Sequence, residues 1–320
     1  KITVIEKEVG TPIGVGEATV LDFGTFMKDC GFHIHNWLPA VDGTFKSGIH
    51  FPNWKRKGND VWHPFFTHCT YDEYGQWDLW AQDQSQPFKT HALPLYETSV
   101  ANKVDHLQPD NYAYHIDCSK LVAFIQSQIG NFINIIRSTV VEVVKDADGI
   151  KELVLNNGDR HTADLFIDCT GFSSLLKEQD RVNLEDRLFC NTAIAGHIPY
   201  NDREKELRPY VISEAVDCGW IWKIPVANRI GSGLVFNRNV TSIEEAKDYY
   251  LAHWDNRTSR DKLKVIDWTP YYIKNQWQGN VVSVGLSGGF IEPLESTGLS
   301  LMRIGIYRIS DKIQNGIYNN

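Results

Sequence analysis

A carboxylate and a run of small residues stand together in Gly288-Gly289-Phe290-Ile291-Glu292-Pro293-Leu294-Glu295-Ser296-Thr297-Gly298-Leu299. The run follows an apolar strand-like segment, Val281 to Gly285, and precedes an amphipathic stretch, Leu301 to Tyr307, that reads as a helix. Ser-Thr-Gly opening a helix leaves backbone N–H groups unpaired at the positive end of the helix dipole, and such a place binds anions. Glu295, just before that end, can orient a second charged group across a small cavity. The same pattern also fits a plain helix cap, with Ser296 capping and Glu295 as its dipole partner. Lys46 is the matching cation. It sits on the alternating segment Thr44 to Phe51, which puts Lys46, Gly48 and His50 on one face and Phe45, Ser47, Ile49 and Phe51 on the other. If that face lines a cavity, the ammonium is a reactive group; otherwise it is a solvated strand lysine.

Aromatic residues supply candidate walls. In Gly219-Trp220-Ile221-Trp222-Lys223-Ile224-Pro225 the strand period places both indoles on one face. His63 and Phe65 are pocket candidates within 52–108, a long aromatic-rich stretch of little periodicity that reads as a binding surface or lid. His33 and His35 have no third ligand at an informative spacing, so no metal site is expected.

The elements that must position these groups can be read in order. Lys1 to Glu6 is a short strand ending in an acid, the residue type that accepts hydrogen bonds from an adenosine ribose in a dinucleotide-binding fold. No Gly-x-Gly-x-x-Gly turn precedes it, so Lys1 reads as the interior of a domain and the chain as a truncation. Ile13-Gly14-Val15-Gly16-Glu17-Ala18-Thr19 has two glycines that let backbone approach a ligand, or form an ordinary loop. A helix is predicted over Val20 to Cys30, and a second one capped by Asp117. Three strand-like runs, Val140 to Val144, Lys151 to Leu155 and Ala163 to Asp168, are joined by hairpin-type turns, and the last stops at Asp168-Cys169-Thr170-Gly171. Further strands are read in 210–212, 219–225 and 231–236, and Ser242 with Glu245 forms a capping box. The interleaving implies an α/β (α+β) chain in which one module is inserted into another.

At 320 residues the chain can bury a substantial core, and its 42% apolar and 22% charged residues are those of a globular protein. A net charge of -8 without a basic stripe argues against nucleic acid. No segment reaches the length of a membrane span, and six cysteines without a C-x-x-C pair fit a reducing, cytoplasmic setting. Ten Trp residues fit aromatic pockets as well as core filling.

Together these residues resemble the flavin-dependent tryptophan halogenase family over essentially the whole chain. Trp220-Ile221-Trp222-Lys223-Ile224-Pro225 is similar to that family's Trp-x-Trp-x-Ile-Pro motif, and Phe290 to Leu299 and Gly43-Thr44-Phe45-Lys46 match its other segments. The resemblance implies a flavoprotein-monooxygenase-like fold truncated at both ends. Its dinucleotide-binding module would comprise 1–30, 118–180 and 276–320, and an inserted β-sheet substrate module 31–117 and 181–275. It implies that reduced FAD, oxygen and a halide yield hypohalous acid, which is channelled to Lys46 and halogenates an indole or related electron-rich aromatic such as tryptophan. Lys46 and Glu295 would be catalytic, Thr297 and Gly298 would bind halide, and His63, Phe65, Trp220 and Trp222 would face substrate. FAD would meet Glu6, Gly14, Val15, Gly16, Glu17, Ala18, Thr19, Val140, Gly171, Leu286 and Leu299. A separate flavin reductase, coupled by diffusible flavin, and a homodimer are the implied partners. Two other readings remain: a flavin-dependent aromatic hydroxylase, which needs neither the lysine nor the paired indoles, and a non-catalytic aromatic-binding or inactive truncated relative.

Overall fold

The computed structural model describes residues 1–7, 16–64, 80–85, 112–147, 149–177 and 180–316. The chain enters on β1 (Thr3–Glu6) and β2 (Glu17–Ala18), passes through helices α1 (Phe23–Asp29) and α2 (Ile34–Ala40), and continues in β3 (Thr44–Lys46), β4 (Gly48–Pro52) and β5 (Asp60–Pro64). Next come β6 (Ala113–Ile116), α3 (Cys118–Ile129), β7 (Asn134–Arg137), β8 (Val140–Asp146), β9 (Gly149–Leu155), β10 (Arg160–His161) and β11 (Phe166–Asp168). The remainder holds β12 (Arg181–Asn183), β13 (Thr192–Ile198), α4 (Arg203–Glu206), β14 (Val211–Val216), β15 (Gly219–Val226), β16 (Arg229–Phe236) and α5 (Ile243–His253). It closes with β17 (Lys264–Asp267), β18 (Tyr271–Ile273), β19 (Trp277–Gln278), β20 (Val281–Ser283), β21 (Gly289–Phe290) and α6 (Gly298–Gln314).

A seven-stranded sheet in the order β17-β13-β16-β15-β14-β4-β5 is the backbone of the fold, antiparallel except where β14 runs parallel to β4. Its central strands β13, β16 and β15 are buried on both faces, and the two-residue period sorts their side chains. Trp220, Trp222, Ile224, Ala193, Ala195 and Val235 pack on one face. Ile221, Leu234, Phe236 and Ile194 pack on the other, against Ala246, Tyr250 and Trp254 of α5 and its end. The capping box that starts α5 forms as read, with Ser242 and Glu245 exchanging hydrogen bonds. Asp117 likewise caps α3 by accepting from the N–H groups of Ser119 and Lys120.

Several elements differ from the sequence reading. The segment Thr44 to Phe51 is two strands rather than one. Ser47 breaks it because its N–H and hydroxyl both donate to the carbonyl of Pro209, at 2.6 and 2.5 Å, so β3 joins the small sheet β2-β6-β3 while β4 joins the large one. The three runs of the hairpin region also divide: β8, β9 and β10 form one antiparallel sheet, but β11 pairs in parallel with β20. The first helix is shorter than 20–30 because Thr19 is drawn into strand-like exchange with Tyr114. Within the irregular stretch 52–108, residues 60–64 are a strand paired to β4. Helix α2, carrying an internal Pro39, was not foreseen.

Candidate functional site

Two hollows meet at the loop between β21 and α6. One is a largely apolar cavity of about 850 Å³, lined by Trp220, Trp222, Trp268, Phe172 and Phe290, by Glu17 and Leu286, and by residues 292–294 and 296–299. The other is an open groove of about 450 Å³, lined by Phe51, Trp54, Trp62, His63, Leu294 and Glu295. Leu294 lines both.

The floor of the cavity is the start of α6. Thr297 precedes its first residue, Gly298, and both line the cavity at the helix end whose first N–H groups lack intrahelical partners. A 17-residue helix gives that end a real positive field. Ser296 is not the cap: it ends a short turn over Pro293–Glu295 in the left-handed region (φ +58), and Thr297 occupies the cap position without a side-chain bond. The kink at Ser296 sends Glu295 to the groove and Thr297 to the cavity, so adjacent residues serve different hollows.

Lys46 is fully buried. Its Nζ donates to the carbonyl of Thr19 at 2.9 Å. Burial pushes the ammonium down to about 7, against the pull of the Glu17 and Glu295 carboxylates, which favour its charged form. Glu17, at the cavity edge, is driven by burial in the opposite direction, up to about 7, opposed by the Ala18 N–H and by Lys46. The third member was not anticipated: His115, on β6 between the strands of Glu17 and Lys46, is fully buried, and burial together with the Lys46 charge holds it well below the usual imidazole range. Thr44 Oγ1 donates to the carbonyl of Pro225 at 2.6 Å and lies 2.9 Å from His115 Nδ1. With its one proton committed, that hydroxyl can only accept, so His115 carries its proton on Nδ1. Its Nε2 is a bare buried acceptor, without a partner among the described residues.

Glu295 is half exposed, and its Oε2 shares a 2.6 Å hydrogen bond with His63 Nδ1. Glu295, 249 positions from Lys46 in sequence, is the second carboxylate after Glu17 whose charge favours the Lys46 ammonium. His63 belongs to the groove, whereas Trp220 and Trp222 belong to the cavity, so the residues read as facing substrate divide between the two hollows. The indole rings lie 6.1 Å apart and tilted by 58°. They are oblique neighbours rather than a flat wall.

Gly233, opposite Trp222 on β16, makes room for this arrangement. A Cβ there would lie 2.1 Å from the Trp222 ring and 2.5 Å from the carbonyl of Ile194. Gly233→Ala is expected to cost about 2–3 kcal/mol by overpacking. The measurements are urea midpoints and the near-ultraviolet signature of the tryptophans, which should change together.

Gly16, Leu286 and Leu299 line the cavity, while Ala18 and Thr19 are fully buried beside it. Gly16 has φ +84, and a Cβ there would come within 3.3 Å of Gly231. Gly171, at φ +72, accepts from the Ser287 hydroxyl and precedes the cavity residue Phe172. Glu6 and Val140 are not among the cavity's lining residues. Glu6 ends β1 paired to Arg137 at 2.5 Å and to Gln126 at 3.2 Å, and Val140 packs with Ile5 and Ile150. Gly14, Val15 and Phe65 lie outside the described residues. Glu292 was also missed: half-buried on the cavity wall, it accepts a hydrogen bond from the indole N–H of Trp220. Its only signal in the sequence was a second carboxylate beside apolar neighbours, three positions before Glu295.

Among the described residues no group of three or more metal-ligating side chains occurs, and no helix is long and apolar enough to cross a membrane.

Residues 1–319 match the tryptophan halogenase family as a whole. The tryptophan 6-halogenase ThaL of Streptomyces albogriseolus is 28% identical, with 97% of this chain and 64% of that protein covered. The tryptophan 7-halogenase RebH of Lentzea aerocolonigenes is 27% identical, with 96% and 64% covered. The solved structure of Xcc4156, a flavin-dependent halogenase from Xanthomonas campestris, superposes with a TM-score of 0.88 at 29% identity, over 98% of this chain and 65% of that one. This chain therefore spans about 64% of the length of those two curated relatives. With a match that runs from end to end, and a fold shared with a flavin-dependent halogenase, the chain belongs to the tryptophan halogenase family.

Proposed function

We propose that this chain carries the catalytic core of a flavin-dependent halogenase that installs a halogen on an indole or related electron-rich aromatic such as tryptophan. The observation that carries the reading is Lys46: a fully buried amine that feels the charge of Glu295, a groove residue followed at once by Ser296, Thr297 and Gly298 on the cavity side. A buried lysine held near neutrality is costly to keep unless it is used.

The residues present fit a flavin. The cavity volume lies within the range of cofactor sites, its walls are apolar and aromatic, and Gly16 brings backbone to its edge. Gly16, Glu17, Leu286 and Leu299 would hold the ring system, and reduced FAD with oxygen supplies the oxidising power that turns halide into hypohalous acid. The N–H groups of Thr297 and Gly298 hold the halide. Trp220 and Trp222 keep organic substrate on the groove side. Lys46 holds the hypohalous acid by hydrogen bond or as a haloamine. With Oε2 engaged by His63, the Glu295 Oε1 polarises that oxidant and accepts the ring proton after the halogen has added. His63 and its neighbours in the groove position the aromatic ring. In this reading 1–30, 118–180 and 276–320 form the flavin module and 31–117 with 181–275 the substrate module. A separate reductase supplies reduced flavin, and the enzyme works in the cytoplasm.

The test is to combine the protein with a flavin reductase, NADH, bromide and a panel of indoles, and to read products by mass spectrometry. Brominated product is expected. Hydroxylated product would replace the reading with an aromatic hydroxylase, and binding without turnover with an aromatic-binding protein.

A further inference from the structure

The partition between cavity and groove is thin, and its parts can be named. Leu294 faces both hollows. Trp54 lines the groove, with its ring 6.5 Å from that of Trp220, which lines the cavity. Trp54 is tied down on its own side by its indole N–H donating to the Ser213 carbonyl at 2.7 Å. Trp220 is tied to the loop instead: its indole N–H donates to Glu292 Oε1. Burial and the neighbouring Glu292 carboxylate push the Cys190 thiol up to about 12, so a protonated thiol faces the same carboxylate. One carboxylate thus joins β15, the chain before β13 and the loop that ends in Glu295 and Thr297.

An apolar side chain would pack this wall without the desolvation that a half-buried carboxylate costs. What only the acceptor provides is direction, fixing the plane of the indole. We infer that Glu292 is a positioning residue, the latch that holds the Trp220 indole across the passage and decides whether oxidant reaches the groove or escapes. The inference rests on the halogenase reading, but the latch itself is a property of the apo chain.

The experiment has two arms. In the first, the isotope-labelled indole N–H resonance of Trp220 is assigned by its disappearance in Trp220→Phe. It is expected downfield and slow to exchange in the wild type, retained in Glu292→Gln, and shifted upfield with fast exchange in Glu292→Leu. An unchanged resonance in Glu292→Leu overturns the latch whether or not the protein halogenates. In the second arm, with reductase, bromide and indole, free methionine traps escaping oxidant as its sulfoxide. Loss of a hydrogen bond to a charged acceptor predicts that Glu292→Leu raises the ratio of sulfoxide to bromoindole about tenfold. The KM for indole should hold steady, and Glu292→Gln should restore most of the ratio. Trp220→Phe should give a similar rise, with no further increase when combined with Glu292→Leu. A fall in both products at constant ratio, or additive effects in the double variant, assigns Glu292 a merely structural role. Wild-type protein that forms neither product sinks the halogenase reading, and the resonance then decides the latch alone.

Discussion

Lys46→Ala is expected to lower halogenated product by about 10³-fold or more while leaving halide oxidation running, because in the proposed mechanism the amine acts after the oxidant is made. The separation is structural. Thr297 and Gly298 open onto the large cavity, whereas Lys46 is enclosed by β2, β3 and β6 with its Nζ on the Thr19 carbonyl. Oxygen uptake and trapped oxidant should therefore persist when product disappears. Folding should not suffer. The variant removes an ammonium whose burial disfavours its charge, and Lys46→Met, which refills the space, is expected to be at least as stable as the wild type near neutral pH. A variant that loses halide oxidation together with product would place the lysine in the earlier step.

The same burial sets a pH signature that does not depend on turnover. Lys46 falls from 10.5 to about 7 on folding, so between those values the unfolded chain holds a proton that the folded chain lacks. Stability from this group therefore rises with pH across that window. Glu17 rises from 4.5 to about 7, so from 4.5 to 7 the folded chain holds the extra proton and stability falls as pH rises. Glu17, Glu295 and His115 are the titratable groups that interact with the lysine, and burial together with the Lys46 charge holds His115 well below the usual imidazole range. Urea midpoints from pH 7 to 9 should climb more steeply for the wild type than for Lys46→Met. Parallel curves would mean that the amine keeps its proton in the folded state.

Much of this arrangement was legible because it depends on local pattern. The capping box at Ser242, the cap at Asp117 and the strands read in 219–225 and 231–236 each follow from residue types at fixed spacings, and each is present, the strands running over 219–226 and 229–236. The helix after Thr297 was legible for the same reason, although its cap was placed one residue early. What failed were features set by distant partners. Nothing in the alternation of 44–51 reveals that the carbonyl of Pro209 will take both donors of Ser47 and split the strand between two sheets. Nor does the sequence around Ala113 to Ile116 mark His115, whose tautomer depends on Thr44 and on the carbonyl of Pro225. Glu292 was hidden for a related reason, since its meaning lies in an indole 72 positions away. Lys46 was matched to Glu295 in the sequence, yet the carboxylate that acts on it most is Glu17, on the neighbouring strand-forming segment, while Glu295 bonds His63.

Glu295→Gln distinguishes the two tasks assigned to that carboxylate. The amide keeps the volume and can still bond His63 Nδ1, so the groove should retain its shape and the KM for indole should change little. What is lost is a proton acceptor, and turnover is expected to fall by about 10²-fold. The route of that loss is measurable. If Glu295 takes the ring proton, its removal makes carbon–hydrogen cleavage slow, and indole deuterated at the halogenated position should show a primary isotope effect in the variant that the wild type lacks. If Glu295 serves only to polarise the oxidant bound at Lys46, the rate falls without any isotope effect, because halogen addition rather than proton loss becomes limiting. The contact with His63 favours the first outcome, since it ties the carboxylate to the groove wall and leaves Oε1 as the oxygen that His63 does not engage. His63→Ala should then lower kcat through a misplaced Glu295 as well as raise the KM, and adding Glu295→Gln to it should cost less than in the wild-type background.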